Sequence, residues 1–223
     1  MIRLTETGWQ GASSGRWSPA ADSVLSRRGA ISLDGRTIAD TLAGDDQISS
    51  RSKRGAGVEI AGSLLMSDGR DVLTGLSKRG VGVINAGVID LGDGDDQLIA
   101  GGRRFGIRNS GAISMGKGDD AVRIGRGGIQ GEGYIALGKG NDQLQGFGRH
   151  RIYGEGGTDT NLLQSGRYAI ELSDCGCSFV VSRGKTAMAL YDFERIGGIG
   201  GSNTLKLKEG TLAIGANGNA SYL

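Results

Sequence analysis

Proline occurs once in this 223-residue chain, histidine once, and aromatic residues make up only 5 % of it. Each scarcity excludes something. The single histidine, His150, is expected in a basic loop with no serine, cysteine or second ligand at a useful spacing, so neither a zinc site nor a histidine-based triad is expected. Too few aromatics are present for a wide globular core, and none are interleaved along the periodic basic stripe, so base stacking and nucleic-acid binding are not expected. No uninterrupted apolar run reaches the length of a membrane span. The opening Met1-Ile2-Arg3-Leu4-Thr5-Glu6 lacks the apolar centre of a cleavable secretory signal. Two cysteines, Cys175 and Cys177, flank one glycine in a turn, too few for a disulfide framework. The formal net charge is only +2, so patterning of charge carries more information than its sum.

Glycine, by contrast, is abundant, with 44 residues and no collagen triplet. Its placement is periodic. Counting back from Asp71, Asp96, Asp120 and Asp142, glycine stands two residues before each (Gly69, Gly94, Gly118, Gly140) and nine before each (Gly62, Gly87, Gly111, Gly133). Apolar residues recur five before (Met66, Leu91, Met115, Leu137), seven before (Leu64, Ile89, Ile113, Ile135) and thirteen before (Val58, Val83, Ile107, Ile129). Another column stands two after (Leu73, Leu98, Val122, Leu144), and the aspartates are 25, 24 and 22 residues apart. A fixed register at that period predicts stacked coils.

Within each unit the apolar residues alternate with small or polar ones, as in Ile113-Ser114-Met115, which predicts short strands with one buried face. The expected fold is all-β: a parallel β-helix or β-roll-like solenoid of about six rungs of 22–25 residues with irregular β caps. Residues 1–28 are expected as an N-terminal cap and 29–165 as the repeats. Residues 166–223 are expected as irregular C-terminal coils, continuous with the solenoid and able to hold an export signal.

The turns Leu91-Gly92-Asp93-Gly94-Asp95-Asp96, Met115-Gly116-Lys117-Gly118-Asp119-Asp120 and Leu137-Gly138-Lys139-Gly140-Asn141-Asp142 resemble the haemolysin-type (RTX) calcium-binding nonapeptide. So does Gly154-Glu155-Gly156-Gly157-Thr158-Asp159. The resemblance implies Ca²⁺ between stacked turns, with carboxylate ligands Asp46, Asp71, Asp96, Asp120, Asp142 and Asp159. Carbonyl ligands would come from Gly92, Gly94, Gly116, Gly118, Gly138 and Gly140. The turn at Asp96, which also carries Asp93 and Asp95, is the strongest single site in this reading. This chain departs from the family in its long period and in Leu91, Met115 and Leu137, which stand where the family has its first glycine. The alternative is a metal-free ladder in which each carboxylate caps backbone amides of its own turn. The resemblance further implies release through a type I exporter to an extracellular or cell-surface location, where calcium drives folding.

A basic column accompanies the aspartates. Lys53, Lys78, Arg103 and Arg149 lie seven residues after successive turn aspartates, with Arg126 six after Asp120 and with Arg54, Arg79 and Arg104 adjoining. Like charges stacked at the strand spacing repel by about 0.8 kcal/mol per neighbouring pair even in bulk water. Either nearby acids compensate, or the column is a site for a linear polyanion such as an anionic polysaccharide. Acid pairs such as Asp95-Asp96 repeat on successive rungs, whereas catalysis needs one unique pair, so the chain is expected not to be an enzyme. The one stretch able to hide a unique cluster contains Asp174, Arg183, Lys185, Tyr191, Asp192 and Arg195. The sequence therefore predicts a secreted calcium-binding repeat protein with a structural, surface or adhesion role. A polyanion- or polysaccharide-binding solenoid and a metal-free structural repeat are the alternatives.

Overall fold

The computed structural model describes residues 1–6, 8–10 and 15–223. Among them it contains strands and turns but no α-helix, and therefore no helix long and apolar enough to cross a membrane. The strands wind into a β-solenoid of about five turns with three short strands per coil. Identical offsets in successive units become neighbours in parallel ladders. On the first face Ile31, Val58, Val83, Ile107 and Ile129 are in register. On the second, the column runs Ala39, Leu64, Ile89, Ile113, Ile135, Ile152 and Leu190. The third carries Val24, Ile48, Leu73, Leu98, Val122, Leu144, Asn161 and Ile196.

The apolar columns predicted from the repeat are the core. Val58, Leu64, Met66 and Leu73 and their counterparts in later coils are at most 3 % exposed. Each such side chain contributes about 1.5–3 kcal/mol by leaving water. Because the interior is one or two aliphatic side chains across, it needs no aromatic centre.

The turn that closes each coil explains the glycines. Four residues before each aspartate the backbone is left-handed, at Leu42, Ser67, Gly92, Gly116, Gly138 and Glu155 (φ between 65° and 111°). Glycine reaches that region without strain, and where another residue stands the neighbouring coils hold it there. Two residues before the aspartate, Gly94 and Gly118 also need space: a Cβ would come within 1.6 Å and 2.1 Å of the carbonyl oxygens of Gly69 and Gly94.

The ends depart from the repeat. Ile2–Thr5 pairs in parallel with Ile31 and Ser32 and antiparallel with Gly8–Gln10, and Trp9 packs on Trp17 at 5.1 Å. After Leu163 the chain leaves the coil as Gly166–Leu172, which pairs antiparallel with Phe179–Arg183 and with Gly210–Ile214. It then returns to the ladders through Thr186–Tyr191 and Arg195–Gly198. The hairpin's tip carries an exposed disulfide between Cys175 and Cys177.

Candidate functional site: an aspartate spine and a cationic groove

The turn aspartates stack on one edge of the coil and point inward. Asp46, Asp71, Asp96, Asp120, Asp142 and Asp159 are 0–2 % exposed. Each Oδ1 accepts a hydrogen bond from the backbone N–H at the same position in the preceding coil. Asp22 donates to Asp46 (2.7 Å), Asp46 to Asp71 (2.7 Å) and Asp71 to Asp96 (2.7 Å). Asp96 donates to Asp120 (2.7 Å), Asp120 to Asp142 (2.7 Å) and Asp142 to Asp159 (2.9 Å). The relay ends where the Asp159 N–H donates to Glu194 Oε2 at 2.7 Å. The capped amide thus belongs to the neighbouring coil, not to the carboxylate's own turn as the metal-free sequence reading has it. The spine fastens coil to coil in a direction the sequence period alone does not give.

The second oxygen of every spine carboxylate, Oδ2, is buried without a hydrogen-bond partner. Burial, opposed by the amide bond and reinforced by neighbouring carboxylates, raises Asp71 to about 7, Asp120 to about 8 and Asp159 to about 7. Asp96 and Asp142 rise to about 6, and Asp46 is raised as well, again chiefly by burial.

The spine carboxylates stack one per coil instead of converging on one point. Calcium takes six to eight oxygens, whereas each spine carboxylate has one oxygen, Oδ2, without a hydrogen-bond partner. The carbonyls of Gly69, Gly94 and Gly118 abut the glycine backbone of the next coil, and the Gly92 carbonyl accepts from Lys117 N–H at 3.0 Å. The three acids around Asp96 diverge. Asp93 pairs with Lys117 Nζ at 2.6 Å, Asp95 accepts the Asp119 N–H, and Asp96 accepts the Asp71 N–H. No group of three or more acidic, histidine or cysteine side chains converges among the described residues. EDTA is accordingly expected to leave the β-sheet circular dichroism unchanged; a coil-to-sheet transition on adding calcium to stripped protein would contradict this packing.

The basic residues lie on a different corner, where the third face turns into the first. The register Arg51–Leu76–Gly101 on the strands places Lys53, Lys78 and Arg103 in successive coils immediately beyond. Arg126 joins them, since its carbonyl accepts the Gly102 N–H at 2.9 Å. Arg54, Arg79 and Arg104 adjoin on the same corner, and all seven side chains are exposed. Arg27 and Arg28 directly follow Ser26, which pairs with Ser50, and so extend the corner by one coil. The three ion pairs among the described residues are Asp45–Arg70, Asp93–Lys117 and Glu132–Arg149, so no acid compensates this column.

Arg149 does not belong to the column, which corrects the sequence expectation. Only 17 residues separate Asp142 from Asp159, so this coil omits the corner loop. Gly148–Gly157 starts directly on the first face, with Arg149 opposite Gln130 and 4.0 Å from Glu132. His150 is likewise on a strand and not in a loop. It is buried, with Nδ1 3.0 Å from the Gly131 carbonyl and Nε2 3.1 Å from Asn109 Nδ2. The carbonyl can only accept, so Nδ1 carries the proton and Nε2 accepts from Asn109. Asn109 in turn accepts from Asn85, and the three form a polar ladder inside the coil.

Beside the basic corner lies an open groove of about 590 Å³. Arg51 and Arg123, on strands three coils apart, and Lys78, Arg103 and Arg126, at the corner, all line it. Leu76, Ile99, Ala100, Gly101 and Gly125 also line it, and none of the lining residues is acidic. Sequence reasoning missed Arg51 and Arg123, because an outward arginine on a strand reads as ordinary solvent face until the register shows what it stands beside. The C-terminal polar residues form no comparable cluster. The hairpin register sets Arg183 and Lys185 at one end and Tyr191 and Asp192 at the other, Arg183 lying over the Tyr168 ring and Tyr191 stacking on Tyr153.

The chain has no match among protein-family models, curated proteins or solved structures.

Proposed function

We propose that this protein is a non-enzymatic binding module in which a rigid β-solenoid displays a ladder of cations to a linear polyanion. The observation that carries the reading is the basic corner from Arg27 to Arg126, exposed in five successive coils and without an ion-pair partner among the described residues. Such a stripe repels itself, and a ligand with regularly spaced negative charges relieves that repulsion along its whole length. The aspartate spine serves the same end, because it fixes coil against coil and so fixes the spacing of the cations. An extracellular or surface setting suits the reading: acidic polymers are exposed there, and the Cys175–Cys177 bridge persists under oxidising conditions.

The test is a titration with long-chain polygalacturonate at low and physiological salt. Binding is expected to weaken with salt, and the pair Lys78→Glu and Arg103→Glu to weaken it roughly tenfold or more. Both residues are exposed and free of partners, so the fold is expected to persist. The same charge reversal at Lys139 and Lys206, outside the corner, is expected to change affinity little. Equal losses from both pairs would remove the corner from the account.

A further inference from the structure

Granted the polyanion reading, on which this rests, we infer that the occupant is an acidic polysaccharide carrying about one carboxylate or sulfate per sugar, seated in the groove lined by Arg51, Lys78, Arg103, Arg123 and Arg126. Three features of the groove select it. Spacing is the first. The corner cations that line the groove, Lys78, Arg103 and Arg126, repeat once per coil, at the strand separation of about 4.8 Å, and an extended pyranose chain advances one sugar over a comparable length. A polymer with one charge per sugar therefore stays in register from coil to coil. Duplex DNA, with one negative charge per roughly 1.7 Å of axis, does not.

The floor is the second feature. Leu76 and Ile99, both partly exposed, offer aliphatic surface to the C–H-lined face of a sugar ring. No aromatic residue lines the groove, so nothing there stacks on a nucleobase. A chain of bare phosphates gains nothing from this floor. The third is a set of cations on the strands as well as at the corner. A polymer held only by field would need the corner alone, whereas Arg51 and Arg123, on strands three coils apart, add their charge to the trough itself. Arg123 Nη1 donates to Gln97 Oε1 at 2.6 Å, which steadies its guanidinium.

Glycine leaves the trough open at Gly101 and Gly125. A Cβ at Gly125 would meet only the Ala100 carbonyl oxygen, at 3.7 Å, so a larger side chain can be placed there without disturbing the backbone. Gly125→Leu obstructs the groove and leaves every charge in place.

The experiment is calorimetric titration of the full chain at about 0.15 M ionic strength. The probes are polygalacturonate, its full methyl ester, polyphosphate and duplex DNA. Polygalacturonate is expected to bind at least tenfold more tightly than polyphosphate or DNA, and the methyl ester not to bind. Gly125→Leu is expected to weaken polygalacturonate at least tenfold and to leave residual polyphosphate binding unchanged, with circular dichroism checking the fold. The pair Arg51→Gln and Arg123→Gln is a second route to the same loss. Should polyphosphate or DNA bind as well as polygalacturonate, or both variants bind normally, the groove-seated glycan is overturned and the charged corner stands. Should no polyanion bind at any salt concentration, both readings fall.

Discussion

Asp120→Ala is expected to destabilise the solenoid by about 3 kcal/mol. The loss has two parts. The Asp96 N–H, now satisfied by Asp120 Oδ1 at 2.7 Å, is left buried without an acceptor, which costs about 1–3 kcal/mol. A small void also opens between coils that are otherwise in contact, and its lining loses packing. Asp120→Asn separates the hydrogen bond from the charge. Its carbonyl oxygen can still accept from Asp96, so the asparagine variant is expected to be much more stable than the alanine one at pH 8. Urea unfolding of the three proteins measures both differences. Equal losses for alanine and asparagine would mean that the carboxylate's charge, not its acceptor, holds the coils.

The melting midpoint is expected to fall as pH rises from 6.5 to 8.5. Burial raises Asp71, Asp120 and Asp159 into the range of about 7–8, above their ordinary value near 3.8. In this window the unfolded chain holds these groups ionised while the folded chain still binds protons. Stability is therefore full below the unfolded value and is lost as pH climbs through the folded one. His150 works in the opposite direction, since burial lowers it and its cost appears only as pH falls through the unfolded value near 6.5. One spine group shifted by a single pKa unit corresponds to about 1.4 kcal/mol, or a midpoint change of about 3–6 °C in a chain of this size. Asp120→Asn is expected to flatten the profile. A midpoint constant from pH 6.5 to 8.5 would show that the spine carboxylates are ionised throughout.

Much of the fold was legible because a solenoid converts sequence offset directly into spatial register. Val58, Val83, Ile107 and Ile129 are thirteen before their aspartates and are neighbours in one ladder. The same offsets did not reveal which partner the aspartates choose. Period fixes where a side chain starts, but whether it turns back on its own loop, toward an ion or toward the next coil depends on turn geometry. The left-handed position at Gly92 and the close approach at Gly94 decide that, and both are invisible as letters. Arg149 misled for a related reason: counting from Asp142 assumes a corner loop that this shorter coil omits. Arg27 and Arg28 went unnoticed because their coil lacks the glycine turn, although Ser23 and Gln47 pair in the same register as later coils. The groove needed the folded register, which alone sets strand arginines beside loop cations.

Differential lysine acetylation, read by mass spectrometry with and without saturating polygalacturonate, tests the central claim most directly. The account expects Lys53 and Lys78 to be protected, and Lys117, Lys139, Lys206 and Lys208, which lie off the basic corner, to react as before. Protection spread evenly over all six, or confined to lysines outside the corner, would contradict a ladder of cations as the binding surface.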